Sequence, residues 1–336
     1  MRSFFALLIA LTLTARAAEL TREVPKPTPF KTVEGVQTAV LESTVFTPTQ
    51  SFDILIPSWN VETPPGSSSV LEVRAYVGNH WTRYYSFGQW SSTSTSSSVN
   101  GQSDADGTLS TDTLKFKRLA TQFQYRLTLS VKGSLGLPKA RLLAFSTDSR
   151  TQAPLKNAEG NHSSWGKILK VPERSQMVFK AGEGWCSPTS LSMVLAFWGL
   201  DRSVPEVAAR VFDTAYSGTG NWPFNTAYAA SLGLEAYVTH LAGMGALEEY
   251  IARGIPVITS IGFKVGEIVG APVAWSEGHL LVVVGFDKVG NVVVNDPAGK
   301  NEREVRRTYS RAEFERAWMG HSRGTVYLLS PRAKKD

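Results

Sequence analysis

Along the first half of the chain apolar residues return at every second position. Phe52, Ile54 and Ile56 form one such run, Leu71, Val73, Ala75 and Val77 a second, and Phe123, Tyr125, Leu127 and Leu129 a third. This is the spacing of side chains on one face of a β-strand. Turn clusters such as Thr63-Pro-Pro-Gly66 and Asp104-Ala-Asp-Gly107 separate the runs, and helical periodicity is almost absent between residues 38 and 146. Half-buried antiparallel strands of this kind predict an all-β sandwich, jelly-roll-like, over 38–146. The Ser/Thr-rich stretch 91–98 fits either a solvated edge strand or a flexible loop.

Residues 147–167 turn polar and lose periodicity, which predicts an interdomain linker. From residue 168 the pattern becomes mixed. Leu191, Val194, Leu195 and Trp198 recur at helical spacing before Gly199, so Cys186 falls at a helix N-terminus. Ser203 with Glu206, and Pro205 in the first turn, announce a second helix, and 225–230 and 244–252 give further helical pieces. Apolar runs at 257–261, 279–286 and 292–294 read as strands, the last two joined by a hairpin at 287–291. Ser310 with Glu313 makes a second capping box opening a helix through Trp318, and 325–329 supplies a closing strand. An α+β domain over 168–331 is expected.

The chain has 336 residues, more than one core of ordinary size holds, so two domains agree with its length. At its start, Met1-Arg2, an apolar run through Leu13 and Ala15-Arg16-Ala17 have the three regions of a secretory signal, with cleavage expected after Ala17. The apolar run is too short to span a bilayer, and no later stretch reaches that length. A secreted, periplasmic or cell-envelope location is therefore expected. The formal charge of +6 becomes +4 without Arg2 and Arg16, a modest excess with no nucleic-acid motif beside it. Asp104, Asp106 and Asp112 lack the spacing of a calcium loop and read as turn residues, and no metal or cofactor is expected. Trp59, Trp81, Tyr84, Tyr85 and Trp90 fit either strand core or a glycan-stacking platform.

Cys186 is the only cysteine, so no internal disulfide can form. A thiol at a helix N-terminus is eased toward thiolate, the nucleophilic form, and an adjacent imidazole eases it further. Gly182-Glu-Gly-Trp185 lets the backbone turn into the helix, and Pro188 suits its first turn. Of five histidines His279 is the best base, because it opens the apolar strand Leu280-Leu-Val-Val-Val-Gly285. Asp296, in Val294-Asn-Asp-Pro297, ends the strand that the hairpin brings back beside it.

Gln176, then Gly184-Trp-Cys-Ser-Pro-Thr-Ser190, Gly278-His-Leu-Leu-Val-Val-Val-Gly-Phe-Asp287 and Asn295-Asp-Pro297 together resemble the papain-like double-glycine peptidases, family 39 of the cysteine peptidases. The chain is more similar still to their exported, stand-alone bacterial members. The resemblance spans residues 171–330. It implies a papain-like fold, a peptide or protein substrate, and a Cys186/His279/Asp296 triad with Gln176 donating to the oxyanion. Two departures stand out. Cys186-Ser187-Pro188 occupies the place where many members carry Cys-Gly-Pro, and Gln176 lies ten positions before Cys186, a longer gap than in the bacteriocin-processing enzymes. The membrane and ATPase domains of the double-glycine transporters have no counterpart here, so the N-terminal sandwich is expected to dock a substrate or a cell-envelope glycan or protein, or to be structural. Envelope amidase or acyltransferase activity, and a binding module without turnover, are the alternative readings.

Overall fold

The computed structural model describes residues 18–133, 136–151 and 160–332. The signal expected at 1–17 and the middle of the expected linker lie outside them. The first sheet is built from β1 (Glu19–Glu23), β2 (Lys31–Val33), β3 (Val36–Glu42), β4 (Phe52–Glu62), β5 (Ser67–Val77), β6 (His80–Trp81), β7 (Tyr85–Trp90), β8 (Gln102–Ser103), β9 (Gly107–Ser110), β10 (Thr113–Lys132) and β11 (Lys139–Asp148). It therefore begins earlier than residue 38, with β1 pairing along β11 from Glu19↔Thr147 to Glu23↔Leu143.

The long strand β10 turns this sheet into a sandwich. Its first half pairs with β9 and β4, and its second half pairs with β3 and β5 on either side. The pairing shifts register around Ala120, where the strand passes from one layer to the other. Between the layers Phe145 of β11 meets Phe123 and Tyr125 of β10, with ring centroids 5.1 and 5.4 Å apart. In β5 every second residue is buried, as its alternation predicts. β4 departs from this rule, being buried from Phe52 through Val61. One of its faces closes the sandwich and the other is covered by the second domain.

That domain runs α1 (Cys186–Phe197), α2 (Val204–Val211), α3 (Trp222–Ser231), β12 (Leu234–His240), α4 (Met244–Ala252), β13 (Val257–Phe263), β14 (Ser276–Phe286), β15 (Val292–Asn295), β16 (Arg306–Tyr309), α5 (Arg311–Ser322) and β17 (Thr325–Pro331). Its antiparallel sheet has the order β12-β17-β13-β14-β15-β16. α1 and α3 precede the sheet in sequence, and α1 packs on β14. Helices gathered before and beside an antiparallel sheet make this the α+β, papain-like domain expected. The Ser203 box forms, with Ser203 Oγ accepting from Glu206 N at 3.3 Å. The Ser310 box does not form. α5 starts where expected and extends to Ser322, but Ser310 makes no side-chain cap, and Glu313 instead accepts the amide of Val269 at 3.1 Å.

β12 was not legible as a strand. It is an edge of its sheet, and side chains of β4 satisfy that edge. Asn60 pairs its amide with Ala236, donating to the carbonyl at 2.6 Å and accepting from N–H at 3.1 Å, and Ser58 Oγ accepts from Val238 N at 2.8 Å. Trp59 and Trp90 reach across to Phe224 of α3, with centroids 6.0 and 5.3 Å away. These two indoles and Tyr85 are buried, so three of the five aromatics weighed for glycan stacking are core. The other two, Trp81 and Tyr84, carry the guanidinium of Arg74 at 4.9 Å from each ring. Asp104 is a turn residue, holding Tyr85 Oη at 2.6 Å, Arg83 Nε at 2.6 Å and the amides of Asp106 and Gly107.

The segment 91–98 is neither a solvated edge nor a loose loop. Ser91, Ser96 and Ser98 are buried, Ser97 pairs with Gln89, and Ser96 pairs in parallel with Asp213 of the second domain. The end of the expected linker is likewise bound: Trp165 donates to Glu248 at 2.8 Å, and Lys167 pairs with Phe286.

Candidate active site

Cys186 opens α1, a helix buried through most of its length although half its first turns are Ser and Thr. Small hydroxyls let it sit in the interior by bonding neighbouring backbone: Ser190 to Leu280 O at 3.0 Å and Ser192 to Arg202 O at 2.8 Å. The first of these pins α1 to β14 one residue beyond His279. Trp185 caps the helix in a non-helical conformation with no side-chain acceptor. The amides of the first turn are thus left to whatever lies at the helix end. Glycine is required on the way in. A Cβ on Gly182 would lie 1.8 Å from the carbonyl oxygen of Gln176, and Gly184 has φ +81°.

His279 is buried near the start of β14, opposite Ile261 of β13. Pairing of Val282 with Asn295 across the hairpin carries the following residue, Asp296, back toward it. His279 Nε2 and Asp296 Oδ1 stand 2.8 Å apart, both buried. With Nε2 so engaged, Nδ1 is the ring nitrogen left to face the thiol, and thiol and imidazole shift each other's protonation. The structure thus joins His279 to Asp296 directly and holds the start of α1, with Cys186, against the same strand.

Two partners of Asp296 were not visible in the sequence. Tyr309 Oη donates to Oδ2 at 2.7 Å, and the Ala298 amide donates to Oδ1 at 3.0 Å. Tyr309 closes the short β16 strand, in a run of polar and basic residues that carries no periodic signal; only the pairing of Val292 with Tyr309 brings it near. Ser187, at the position of the family departure, shares a hydrogen bond with Tyr327 Oη of β17 at 3.0 Å. The extra hydroxyl is thereby absorbed by the sheet.

Gln176 is buried on the loop before α1. Its backbone N–H donates to the Pro297 carbonyl at 2.9 Å, tying it to the residue after Asp296, and Nε2 donates to Gly182 O at 3.0 Å. Its Oε1 is buried with no hydrogen-bond partner among the described residues. A buried acceptor left unpaired costs about 1–3 kcal/mol, a cost that concentrates at functional positions.

Electrostatics follow from this packing. Burial opposes charge on Cys186, but the hydrogen bond and charge of His279, with the amides of Leu280 and Ser187, outweigh it and the thiol is lowered. Burial equally opposes charge on His279, yet Asp296 and the thiol raise the imidazole to about 10. Burial would lift Asp296, but His279, Tyr309 and Ala298 hold its carboxyl below the usual range. A thiolate–imidazolium pair backed by a carboxylate is the arrangement that attacks carbonyl carbon at neutral pH.

The fold is that of a papain-like, C39 peptidase-like domain carried behind a β-sandwich. Residues 168–326 match the family model described as the Peptidase_C39 like family, and residues 9–147 match the Peptidase C39 N-terminal domain. The second domain thus carries the match to the C39-like peptidase family. Among solved structures it is similar to a double glycine motif protease from an AMS/PCAT transporter in complex with the leader peptide, at 20% identity over 49% of this chain and 95% of that one, with a TM-score of 0.34. It is also similar to a protein described as a C39-like peptidase from Bacillus anthracis, at 18% identity over 50% of this chain and 99% of that one, with a TM-score of 0.38. No match was found among the curated proteins. Among the described residues no helix is long and apolar enough to cross a membrane.

Proposed function

We propose that this protein is an exported cysteine peptidase that hydrolyses peptide or related amide bonds through an acyl-enzyme. The observation that carries the reading is the buried His279–Asp296 pair, 2.8 Å apart, set against the lone thiol at the open end of α1. In this scheme the Cys186 thiolate attacks the substrate carbonyl and forms a C–S bond. The carbonyl electrons move onto oxygen, where the Cys186 end of α1 and the second Nε2 hydrogen of Gln176 receive the charge. His279, as imidazolium, gives its proton to the leaving amine as the C–N bond breaks. It then takes a proton from water, whose oxygen attacks the thioester and releases the acid and the thiolate. Asp296 holds the ring so that Nδ1 faces the sulfur throughout. Export rests on the charged, apolar and small-residue regions of residues 1–17.

The test is a peptide-library digestion comparing the wild-type chain with Cys186→Ala, run beside purified peptidoglycan. Cleaved peptides with wild type and none with the variant are expected. Release of wall fragments without peptide cleavage would move the assignment to an amidase, and no turnover of either would leave a binding protein.

A further inference from the structure

The stretch 91–98 and the loop that follows α2 meet at a place the proposed chemistry does not use. Asp213 is buried at the root of this loop, and its carboxylate gathers the chain around it. Oδ1 accepts from the amides of Ala215 and Tyr216 in its own loop, at 3.1 and 3.3 Å, and from Ser98 of the sandwich at 2.9 Å. Oδ2 accepts from Asn221 at 2.8 Å. Further ties cross the domain boundary. Thr214 donates its amide and its hydroxyl to Ser96 O at 3.1 and 3.2 Å, and Asn100 Nδ2 donates to Ala215 O at 2.9 Å. At the far end of the loop Asp112 of the sandwich accepts the Trp222 amide at 2.8 Å. The sandwich side is itself fixed, because Ser97 packs on Gly88, where a Cβ would lie 2.0 Å from its carbonyl oxygen.

The other side of the loop touches the chain just before α1. Thr219 Oγ1 donates to Gly184 O at 3.2 Å, two residues before Cys186. Tyr216 lies with its ring over Gly218, where a Cβ would come within 2.7 Å of the ring, and Ser217 between them takes the left-handed φ of 56°. Tyr216 is nevertheless 50% exposed. An aromatic backed by glycines and fixed by its backbone offers contact area to a ligand at small entropic cost.

Resting on the reading of the cleft as a peptidase site, we infer that residues 214–220 form one wall of the substrate cleft, that Tyr216 receives an apolar side chain of the peptide, and that the N-terminal sandwich positions this wall through residues 96–100. The sandwich is then a part of the specificity apparatus and Asn100 and Thr214 are positioning residues. Glycines at 218 and 220 serve the same end, since a side chain at 218 would push the ring aside.

Binding of a fluorescent peptide library to the full-length Cys186→Ala protein tests this without turnover. Adding Tyr216→Ala should weaken the peptides with apolar side chains by about tenfold and leave small polar ones unchanged, and Tyr216→Phe should restore them. Asn100→Ala combined with Thr214→Val should shift the same side-chain preference and speed amide exchange across 214–220, at an unaltered circular dichroism spectrum. An unchanged library profile in folded Tyr216→Ala, or no peptide bound at all, overturns the inference. Alkylation of wild-type Cys186 is followed separately: a slow rate typical of a free thiol sinks the peptidase reading, while Tyr216-dependent peptide binding would still stand.

Discussion

Charge at the candidate site is arranged so that each group favours the ionised form of the next. Asp296 is the one whose loss isolates the chemistry from the fold, because Asn keeps its size and its one carbonyl oxygen can still accept from Ala298 or from Tyr309. Asp296→Asn is expected to lower kcat by roughly ten- to ten-thousand-fold, the range triad members span. Tyr309→Phe removes one charge-assisted hydrogen bond from the same carboxylate while its other partners remain, and should cost less, about ten- to a hundredfold. Turnover of both on a peptide found by the library, with circular dichroism as the folding control, checks the order; a folded, fully active Asp296→Asn would remove Asp296 from the scheme. The pH dependence has a defined sign. The active pair forms as the thiol loses its proton, at a pH below the ordinary thiol value of about 8.5. It is lost when the imidazolium gives up its own proton, toward the raised value of about 10. A bell-shaped kcat/KM profile is expected, broad across neutrality, its two limbs belonging to the coupled pair. An acid limb at the free thiol value would contradict the ion pair.

At the scale of elements the informative contact is between β4 and β12. An exposed sheet edge is an aggregation hazard, and here it is covered by side chains rather than by another strand. Asn60 does this with both ends of its amide. Asn60→Ala leaves the N–H and carbonyl of Ala236 buried and unpaired, and should cost about 2–4 kcal/mol. Urea denaturation followed by tryptophan fluorescence measures it, and a loss below about 0.5 kcal/mol would mean that water replaces the amide without penalty. β4 also explains why alternation failed there. A strand covered on both faces has no solvent side to mark, so Phe52 through Val61 read as one buried run.

At the scale of the whole molecule the two domains behave as one packed body. Apolar residues of both belong to a single core, joined at Trp59, Trp90 and Phe224. A part-buried ion pair and a buried polar contact reinforce the seam: Arg323 of the second domain holds Asp148 of β11, and Ser146 Oγ meets His240 Nδ1 at 2.9 Å. Residues 160–332 produced alone are therefore expected to be insoluble or to melt well below the full chain, because α3 and the β12 edge would face water. Differential scanning fluorimetry of both proteins decides it; an isolated domain with the melting temperature of the full chain would mean the seam contributes nothing.

The sequence by itself determined the parts of this protein that depend on local spacing. Period-two alternation gave the sandwich strands, helical spacing placed Cys186 at the start of α1, and the Asp287–Asn291 turn brought Asp296 back beside His279, because a two-strand hairpin is fixed by a few residues. Segments whose chemistry is neutral on its own were decided only in three dimensions. Polar residues 91–98 look solvated until Asp213 supplies a buried acceptor for the Ser98 amide, and Tyr309 and Asn60 show no pattern until strand pairing sets them against Asp296 and β12. Aromatics such as Trp59 are apolar in either reading, and it is the arrival of α3 across β4 that makes them core. Hydrogen-bond partners far apart in the chain are chosen by topology, and topology is a property of the packed whole.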